Sequence, residues 1–504
     1  MSITIEEMAV FCKKKGFVYP NSEIYSGLSG FFDFGPLGTE LKNNIKQQWW
    51  KSHVQQRDDM VGLDGSIIAS QKVWVASGHV AMFADTMLEC PKCQNRVRAD
   101  HFIETVLKIQ AESLTPDQIA HMVKSSQILC PKCKTPFEEA KPFNLMFKTF
   151  IGPNEEAAAI AYLRPETAQL IFADFKQILE TSRKKLPFGV AQMGKAFRNE
   201  ISPRDFLFRC REFEQMEIEY FVNPEKTDCP YISEVTNVHI NVLTAEMQEK
   251  KEEPVKLSIK ECLARKIISQ PWHAYWLATE HQWLVSLGAN PGHLRIRQHL
   301  NDEKSHYAVD TWDLEFKFPF GWKELQGIAN RGDFDLQQHI KTSGKDLSYF
   351  DEETKQRIVP HVIAEPSMGV ERTFLVFLFD AYNDDKERGN VVLKLHPKLA
   401  PFKAAVFPLL SNKEELVGLA KKVQSDLRKN LNCFYDQSGS IGRRYARQDE
   451  VGTPYCITID FDSLTNNDVT IRDRDTTEQK RVLIEKLSDV LRDLLEGKKS
   501  FGQI

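Results

Sequence analysis

The stretch FRNEISPRDFLFRCREFEQME, Phe197 to Glu217, decides how the rest of the chain is read. It divides into two strands joined by a loop. The first is VAQMGKAFRNE, from Val190 to Glu200, and the second runs from Phe208 through REFEQMEIEYF to Phe221. Successive strand residues point to opposite faces. Arg211, Phe213, Gln215, Glu217 and Glu219 therefore share one face, and Glu212, Glu214, Met216, Ile218 and Tyr220 share the other. Arg198 and Glu200 share a face of the first strand. One hairpin surface would gather two arginines, a ring and several carboxylates. Guanidinium forks match phosphate oxygens and a ring stacks on a base, so the surface suits a nucleotide. A solvated hairpin laced with ion pairs fits the same spacing.

At 504 residues the chain exceeds one ordinary core, and about three domains are expected. Hydrophobic content of 42% and charged content of 27% are those of a soluble globular protein. The net charge of −4 neither advertises nor excludes a polyanion, because local patches decide that. No apolar run approaches a bilayer span, and MSITIEEMAVFCKKKG lacks a signal-peptide pattern. The ten cysteines point to a reducing, cytoplasmic setting, with metal ligation or burial ahead of disulfides.

Around the hairpin, Ile5–Lys15 reads as a helix ended by Gly16, and Thr39 to Arg57 as a long helix with Thr39 as N-cap. The run from Asp228 to Ile268 reads as helical, its charged middle from Glu249 to Glu253 admitting a loop, and WHAYWLATEHQWLVSLGAN as a helix ended by Gly288. HYAVDTWDLEFKFPFGWKELQGIAN and IVPHVIAEPS read as strands, and GVERTFLVFLFDAYN as an apolar helix. Beyond a boundary at Pro397 to Pro401 strands and helices alternate, closing on a helix from Thr477 to Glu496. That is the grammar of an α/β domain. Its arginines cluster in GSIGRRYARQDEVG, Gly439 to Gly452.

CPKC occurs twice, at Cys90–Cys93 and Cys130–Cys133. Four thiolates form a tetrahedral set suited to Zn²⁺ with no open position, hence structural and not catalytic. The 36 residues between the pairs exceed the usual ribbon spacing, so the intervening segment, with a helix start at Thr115-Pro116, must fold back. Bare thiols left from a lost site are the alternative. RPETAQL (Arg164 to Leu170), KELQGIANRGDFDL (Lys323 to Leu336) and EPSMGVERTF (Glu365 to Phe374) each admit an ordinary structural reading alone. In the last, glycine allows close approach of a ligand, and Arg372 lies in a helix's first turn.

Together these motifs are specific. Arg198 and Phe213 on a strand pair, then a distal Gly-x-Glu-Arg opening a helix, resemble the second and third signature motifs of class II aminoacyl-tRNA synthetases. The helix after FFDFGPLG stands where the first motif builds the dimer interface. FFDFGPLG, RADH (Arg98 to His101), RPETAQ, the opening stretch, KELQGIANRGDFDL, HVIAEPSMGVERT and GSIGRRYARQDEVGTPYCITID look like the glycyl-tRNA synthetases of the homodimeric type, over nearly the whole chain.

The resemblance implies an α+β fold: a class II antiparallel-sheet catalytic domain with helical and zinc-binding insertions, plus a C-terminal α/β anticodon-binding domain. Residues 1–89 and 144–396 would be catalytic, with a mainly helical insertion at 226–290. Residues 90–143 would bind zinc through Cys90, Cys93, Cys130 and Cys133, and 397–504 would read the anticodon. It implies a glycine–tRNA ligase that makes glycyl-adenylate from glycine and ATP with Mg²⁺, then charges tRNA(Gly). Attack of ATP on the adenylate would give diadenosine tetraphosphate. Arg198 and Arg372 would be catalytic. Arg198, Asn199, Glu200, Phe208, Arg209, Cys210, Arg211, Glu212, Phe213, Glu324, Leu325, Gly369, Val370, Glu371 and Arg372 would hold ATP, with Glu324 near Mg²⁺. Arg98, Glu166, Phe213, Glu214, Gln215, Met216, Glu217, Glu365, Pro366, Ser367, Met368 and Gly369 would surround glycine. The loop from Ser202 to Leu207, with Arg204 and Arg209, would meet the tRNA acceptor end. Arg98 lies five residues past Cys93, which tethers that arginine to the zinc insertion. A synthetase-like protein that binds RNA without charging it is the rival, and the presence of Arg198, Arg211 and Arg372 opposes it.

Overall fold

The hairpin supplies two adjacent strands near one edge of a nine-stranded sheet. The computed structural model describes residues 3–109, 111, 114–153, 159–226, 228–300, 303 and 310–504. Strands β1 (Met60–Leu63), β2 (Phe188–Phe197), β3 (Glu212–Val222), β4 (His239–Leu243), β5 (Val255–Ser258), β6 (Leu294–Gln298), β7 (Asp310–Phe318), β8 (Gly321–Asn330) and β9 (His361–Gly369) lie in the order β5-β4-β6-β7-β8-β9-β3-β2-β1. Pairing is antiparallel except β2 with β1 and β4 with β6. His306 to Val309 of the expected HYAVDTWD strand lie outside the described residues.

The faces of β3 divide as the alternation predicts. Met216, Ile218 and Tyr220 are wholly buried in the main core. Three helices cover that side: α1 (Pro36–Trp50), α2 (Pro271–Ser286) and α3 (Val370–Ala381). Trp272 and Trp276 of α2 lie with ring centroids 4.7 and 5.2 Å from Tyr220. Burying such rings contributes about 2–3 kcal/mol each and fixes the sheet's register. The opposite face carries Phe213, Gln215 and Glu217 and stays open at its centre.

Three expectations are corrected. Helix α1 begins at Pro36, with Gly35 as N-cap, and Thr39 sits inside it, donating through Oγ1 to the Phe34 carbonyl. Proline at the first helical position is pre-set for the turn. The run from Asp228 to Ile268 is not helical throughout, because β4 and β5 interrupt its short helices and join the main sheet there. In HINVL, Ile240 and Val242 are buried and alternate with more exposed neighbours, a strand period within a charged run. The C-terminal helix starts at Ile484, because Gln479–Leu483 forms an edge strand paired with Asp468–Asp473.

The CPKC pairs stand on a separate three-stranded sheet of Ala84–Glu89, Arg96–Arg98 and Ala140–Asn144, which begins ahead of Cys90. Helices Ala99–Leu107 and Pro116–Ser125 lie between the pairs. The C-terminal unit is a five-stranded sheet in which Cys433–Tyr435, Ala404–Pro408 and Tyr455–Ile459 are parallel and the last two strands antiparallel. Among the described residues, no helix is long and apolar enough to cross a membrane.

Candidate active site

The open face of β3 floors a cavity of about 340 Å³ that includes Arg198, Phe208, Phe213, Glu324 and Arg372 in its lining. Phe213 pairs with Ala196 across the hairpin, which sets it beside Arg198 just past the end of β2. The Arg198 guanidinium lies 5.4 Å from the Phe213 ring centroid and 5.4 Å from that of Phe83, and Nε donates to the Pro165 carbonyl at 3.1 Å. Arg198 lines both this cavity and the adjoining one that contains Glu166 and Glu365. Arg372, in the first turn of α3, lies over Phe208 at 4.5 Å. It donates to the Phe208 and Glu324 carbonyls at 3.2 and 2.9 Å and pairs with the Glu324 carboxylate at 3.2 Å. Burial would raise the Glu324 carboxyl, but Arg372 holds it below the usual carboxylate range. Two cations, a flat ring and one carboxylate thus line one slot, a set that matches a nucleotide with its phosphates and a bound cation.

Next to this slot lies a cluster of acids. Glu217 of β3 and Ser367 of β9 are cross-strand partners, and Ser367 Oγ donates to Glu217 Oε1 at 2.6 Å. The Thr167 N–H donates to Glu217 Oε2 at 3.0 Å, and the Thr167 hydroxyl donates to the same oxygen. Glu166 comes from the RPETAQ loop. Arg164 anchors that loop by donating to the Lys195 and Gly65 carbonyls at 2.6 and 2.7 Å. It lies so close to β2 that a Cβ at Gly194 would stand 2.1 Å from its Nη2, so only glycine fits. Glu365 accepts from Arg331 Nη1 at 2.6 Å, and Arg331 also grips Asp335 with Nε and Nη2 at 2.7 and 2.8 Å.

The carboxyls of this cluster are driven apart. Burial works to raise Glu166, but His79 at 3.3 Å, with Arg331 and Arg198 beyond, holds it well below the carboxylate range. Glu365 goes the other way: burial pushes it up to about 8 against the pull of Arg331, with Glu217 and Glu166 adding to the rise. Burial and Glu166 also raise Glu217, against the hydroxyls of Ser367 and Thr167. Behind them Glu219 is wholly buried, neither oxygen has a hydrogen-bond partner among the described residues, and burial followed by Glu365 raises it well above the usual range. Such a set is short of positive charge and suits an ammonium group.

The structure does not bring every expected residue to the cavity. Glu214 faces α1, where Lys42 and Lys46 hold its carboxylate at 2.9 and 2.8 Å. Met216, Met368 and Val370 are wholly buried in the core behind the sheet, and Pro366 pairs with core residue Ile328. Glu212 pairs with Lys195 at 2.7 Å on the same averted side. The period of two turns the strand residues among these from the ligand face, and Val370 opens helix α3 behind the sheet. Arg211 does not point inward: it ties the Glu200 and Ser29 carbonyls at 2.8 to 3.0 Å. The Asn199 N–H donates to the Leu145 carbonyl at 2.7 Å, outside the cavity lining. Glu371 reaches the cavity wall, but its carboxylate accepts from Lys42 Nζ at 2.7 Å and the Glu214 N–H at 2.8 Å. Phe208 belongs to a short 3₁₀ turn, Phe206–Phe208, and not to β3. Leu325, Cys210, Gln215 and Gly369 line the cavity, together with Glu200, Arg209 and Arg98. There Arg209 pairs with Glu200 at 2.7 Å and Arg98 with Asp85 and Asp100 at 2.9 and 2.7 Å.

Sequence reasoning missed Arg331, His79, Thr167 and Asp335. Arg331 stood within the quoted NRGDFDL string, but its partner Glu365 lies 34 residues away. Only the fold shows that the two meet.

The four cysteine sulfurs lie within 4.8 Å of one another. The two knuckles repeat one backbone pattern: the Cys90 N–H donates to Asn95 and Cys130 to Thr135, while Gln94 and Lys134 donate back to Cys90 and Cys130. At Zn–S distances of about 2.3 Å, tetrahedral thiolates stand about 3.8 Å apart. Cys90–Cys133 at 3.4 Å and Cys93–Cys130 at 3.6 Å fit that arrangement closely.

A nine-stranded, mostly antiparallel sheet with an arginine from the β2–β3 hairpin and another from the helix after β9 defines a class II aminoacyl-tRNA synthetase core. Residues 149–380 match the tRNA synthetase class II core domain of the G, H, P, S and T group, and residues 403–494 match the anticodon binding domain. Over 98% of its length the chain is 45% identical to the glycine–tRNA ligase of Caldanaerobacter subterraneus subsp. tengcongensis, covering 99% of that protein. It is 44% identical over 98% of its length to the Thermobifida fusca ligase, of which it covers 99%, and 45% identical over 97% to that of Geobacillus thermodenitrificans, of which it covers 97%. The chain belongs to the glycine–tRNA ligase family.

Proposed function

We propose that this protein activates glycine with ATP and transfers it to the 3′ end of tRNA(Gly). The observation that carries the reading is the meeting of two unlike sites at Arg198: an aromatic and cationic slot on one side, a cluster of buried carboxylates on the other. A nucleotide bound with its α-phosphate at Arg198 would place that phosphorus beside an amino acid held by its ammonium group at Glu166, Glu217 and Glu365. The amino acid's own carboxylate is the nucleophile, so no side chain need attack. The work is positioning and neutralising charge as the phosphoryl centre reacts. Phe213 would stack on adenine, Arg372 would bind its other side or the terminal phosphate, and Glu324 would hold the Mg²⁺ that offsets phosphate charge.

Ser367 and Thr167, drawn towards Glu217, leave the Cα of the substrate against packed strand and loop. A pocket with no side-chain room excludes larger amino acids sterically, and no editing site is required. Residues 1–89 and 144–396 would form the catalytic body, 90–143 a structural zinc module, and 397–504 the anticodon-binding domain. Arg204 and Arg209 would face the acceptor end. A homodimer is supported by a groove of about 860 Å³ beside α1, lined in part by Lys46, Trp50 and Met193, next to β1 at the end of the sheet. A cytoplasmic setting accords with ten unpaired cysteines. The test is transfer of labelled glycine to a glycine-accepting tRNA. Acid-stable adenylate formation with no charging of any tRNA would overturn the reading.

A further inference from the structure

The helix Ile441–Val451 joins two places that the chemistry above leaves separate. Its first turn carries Arg443, which is exposed and has no ion pair among the described residues. Arg447, one turn on and on the same side, is oriented by Asp436 at 2.5 Å. Its last turn is anchored in the opposite sense. Asp449, buried, holds Arg472 of its own sheet through two bonds of 2.8 and 3.0 Å. It also faces Arg388 of the catalytic body at 3.5 Å. Arg388 sits in the turn between strands Tyr382–Asp385 and Asn390–Leu393 and donates to the Arg474 and Asp475 carbonyls at 2.7 and 2.9 Å. Glu450 pairs with Lys15 of the N-terminal helix at 2.5 Å. The helix ends on Gly452, where a Cβ would stand 2.9 Å from Leu395 and 3.1 Å from the Leu393 carbonyl.

We propose that Arg443 and Arg447 meet RNA and that this helix is a strut coupling that contact to the placement of the acceptor end over the catalytic face, with Arg388 and Lys15 as its positioning residues on the catalytic body. This rests on reading residues 397–504 as the anticodon-binding domain. Eleven residues of helix span about 16 Å and do not flex along their axis. A displacement at the RNA-facing end is therefore delivered to the ion-paired end. Rigid elements and ion-pair networks of this kind carry coupling between sites. The strut touches neither the nucleotide slot nor the acid cluster, so breaking its anchor acts on tRNA charging and not on adenylate formation.

The experiment compares Arg388→Ala, Lys15→Glu, and Lys15→Glu combined with Glu450→Lys against the unaltered protein. Three activities are measured: glycine-dependent ATP–pyrophosphate exchange, charging of full-length tRNA, and charging of an acceptor-stem minihelix without an anticodon arm. The expected result is a roughly five- to tenfold fall in kcat/KM for full-length tRNA with each single variant. Exchange and minihelix charging stay unchanged, and the reversed pair recovers most of the loss. Equal losses in all three activities would mean a merely structural role and overturn the proposal, as would unchanged charging of full-length tRNA. If the unaltered protein charges minihelix and full-length tRNA equally, the anticodon reading itself fails, and the strut with it.

Discussion

Glycine binding should displace a proton from Glu365, whose carboxyl burial raises. Glu365 is 8% exposed, and burial, opposed by Arg331 and reinforced by Glu217 and Glu166, pushes its carboxyl up to about 8. At pH 7 the empty site therefore holds it mainly neutral. An ammonium group at hydrogen-bond distance favours the ionised form. The sign follows: the free site keeps its proton below about 8 and the occupied site does not, so binding releases a proton and tightens as pH rises towards 8, then levels off. One pH unit below that value, ionisation costs about 1.4 kcal/mol, so glycine affinity at pH 7 lies roughly tenfold below its plateau. Titration calorimetry in two buffers of different ionisation enthalpy counts the protons. About one should leave per glycine at pH 7, and Glu365→Gln should release none, bind glycine weakly and show a flat pH profile. Release of no proton by the unaltered protein, or an unchanged pH slope in Glu365→Gln, would refute the assignment of charge in this cluster.

Three further perturbations test other parts. Arg372→Ala removes the cation over Phe208 and the contacts to Glu324; exchange kcat/KM should fall roughly a hundred- to a thousandfold with the melting temperature little changed, and a loss below tenfold would exclude a role at the developing phosphate charge. Lys42→Met leaves the carboxylates of Glu371 and Glu214 facing each other in the core without their shared cation, and denaturant unfolding should show a loss of about 3–5 kcal/mol; an unchanged midpoint contradicts the network's importance. Cys130→Ser should abolish zinc measured by elemental analysis and weaken glycine activation, because Asp85, on the strand that leads into Cys90, holds Arg98 and Arg209 at 2.9 and 3.5 Å; normal kinetics in a verified zinc-free sample would break that link.

What could be read from the residues alone followed the range of the interactions. The alternation in β3 is local, so it separated Phe213, Gln215 and Glu217 from Met216 and Tyr220 before any fold was in hand. The family resemblance nevertheless set Glu214, Met216 and Met368 around glycine, and the structure shows them buried behind the sheet or, for Glu214, paired with Lys42 and Lys46. The CPKC knuckles were legible because each is closed by bonds within a few residues. The acid cluster was only half legible. Glu166 and Glu365 belong to recognisable strings, but Arg331 acquires its role across β9, and His79 reaches Glu166 from 87 positions away in the chain. Arg211 misled for a related reason. A guanidinium in the middle of a nucleotide motif serves backbone carbonyls as readily as phosphate, and here it closes the loop of Ser29 and Gly30 over the hairpin. The strands β4 and β5 were hidden by charge, since only Ile240, Val242 and Leu257 mark a buried face in a run full of lysine and glutamate.

The central claim is that the carboxylates at Glu166, Glu217 and Glu365 select glycine for attack on ATP bound at Arg198 and Phe213. ATP–pyrophosphate exchange, measured with glycine, alanine and serine in parallel, tests it without involving tRNA. Exchange that depends on glycine, collapses in Glu166→Gln and is absent with the two larger amino acids is the predicted result. Exchange with alanine or serine at rates comparable to glycine, or none with glycine in a folded protein, would contradict it.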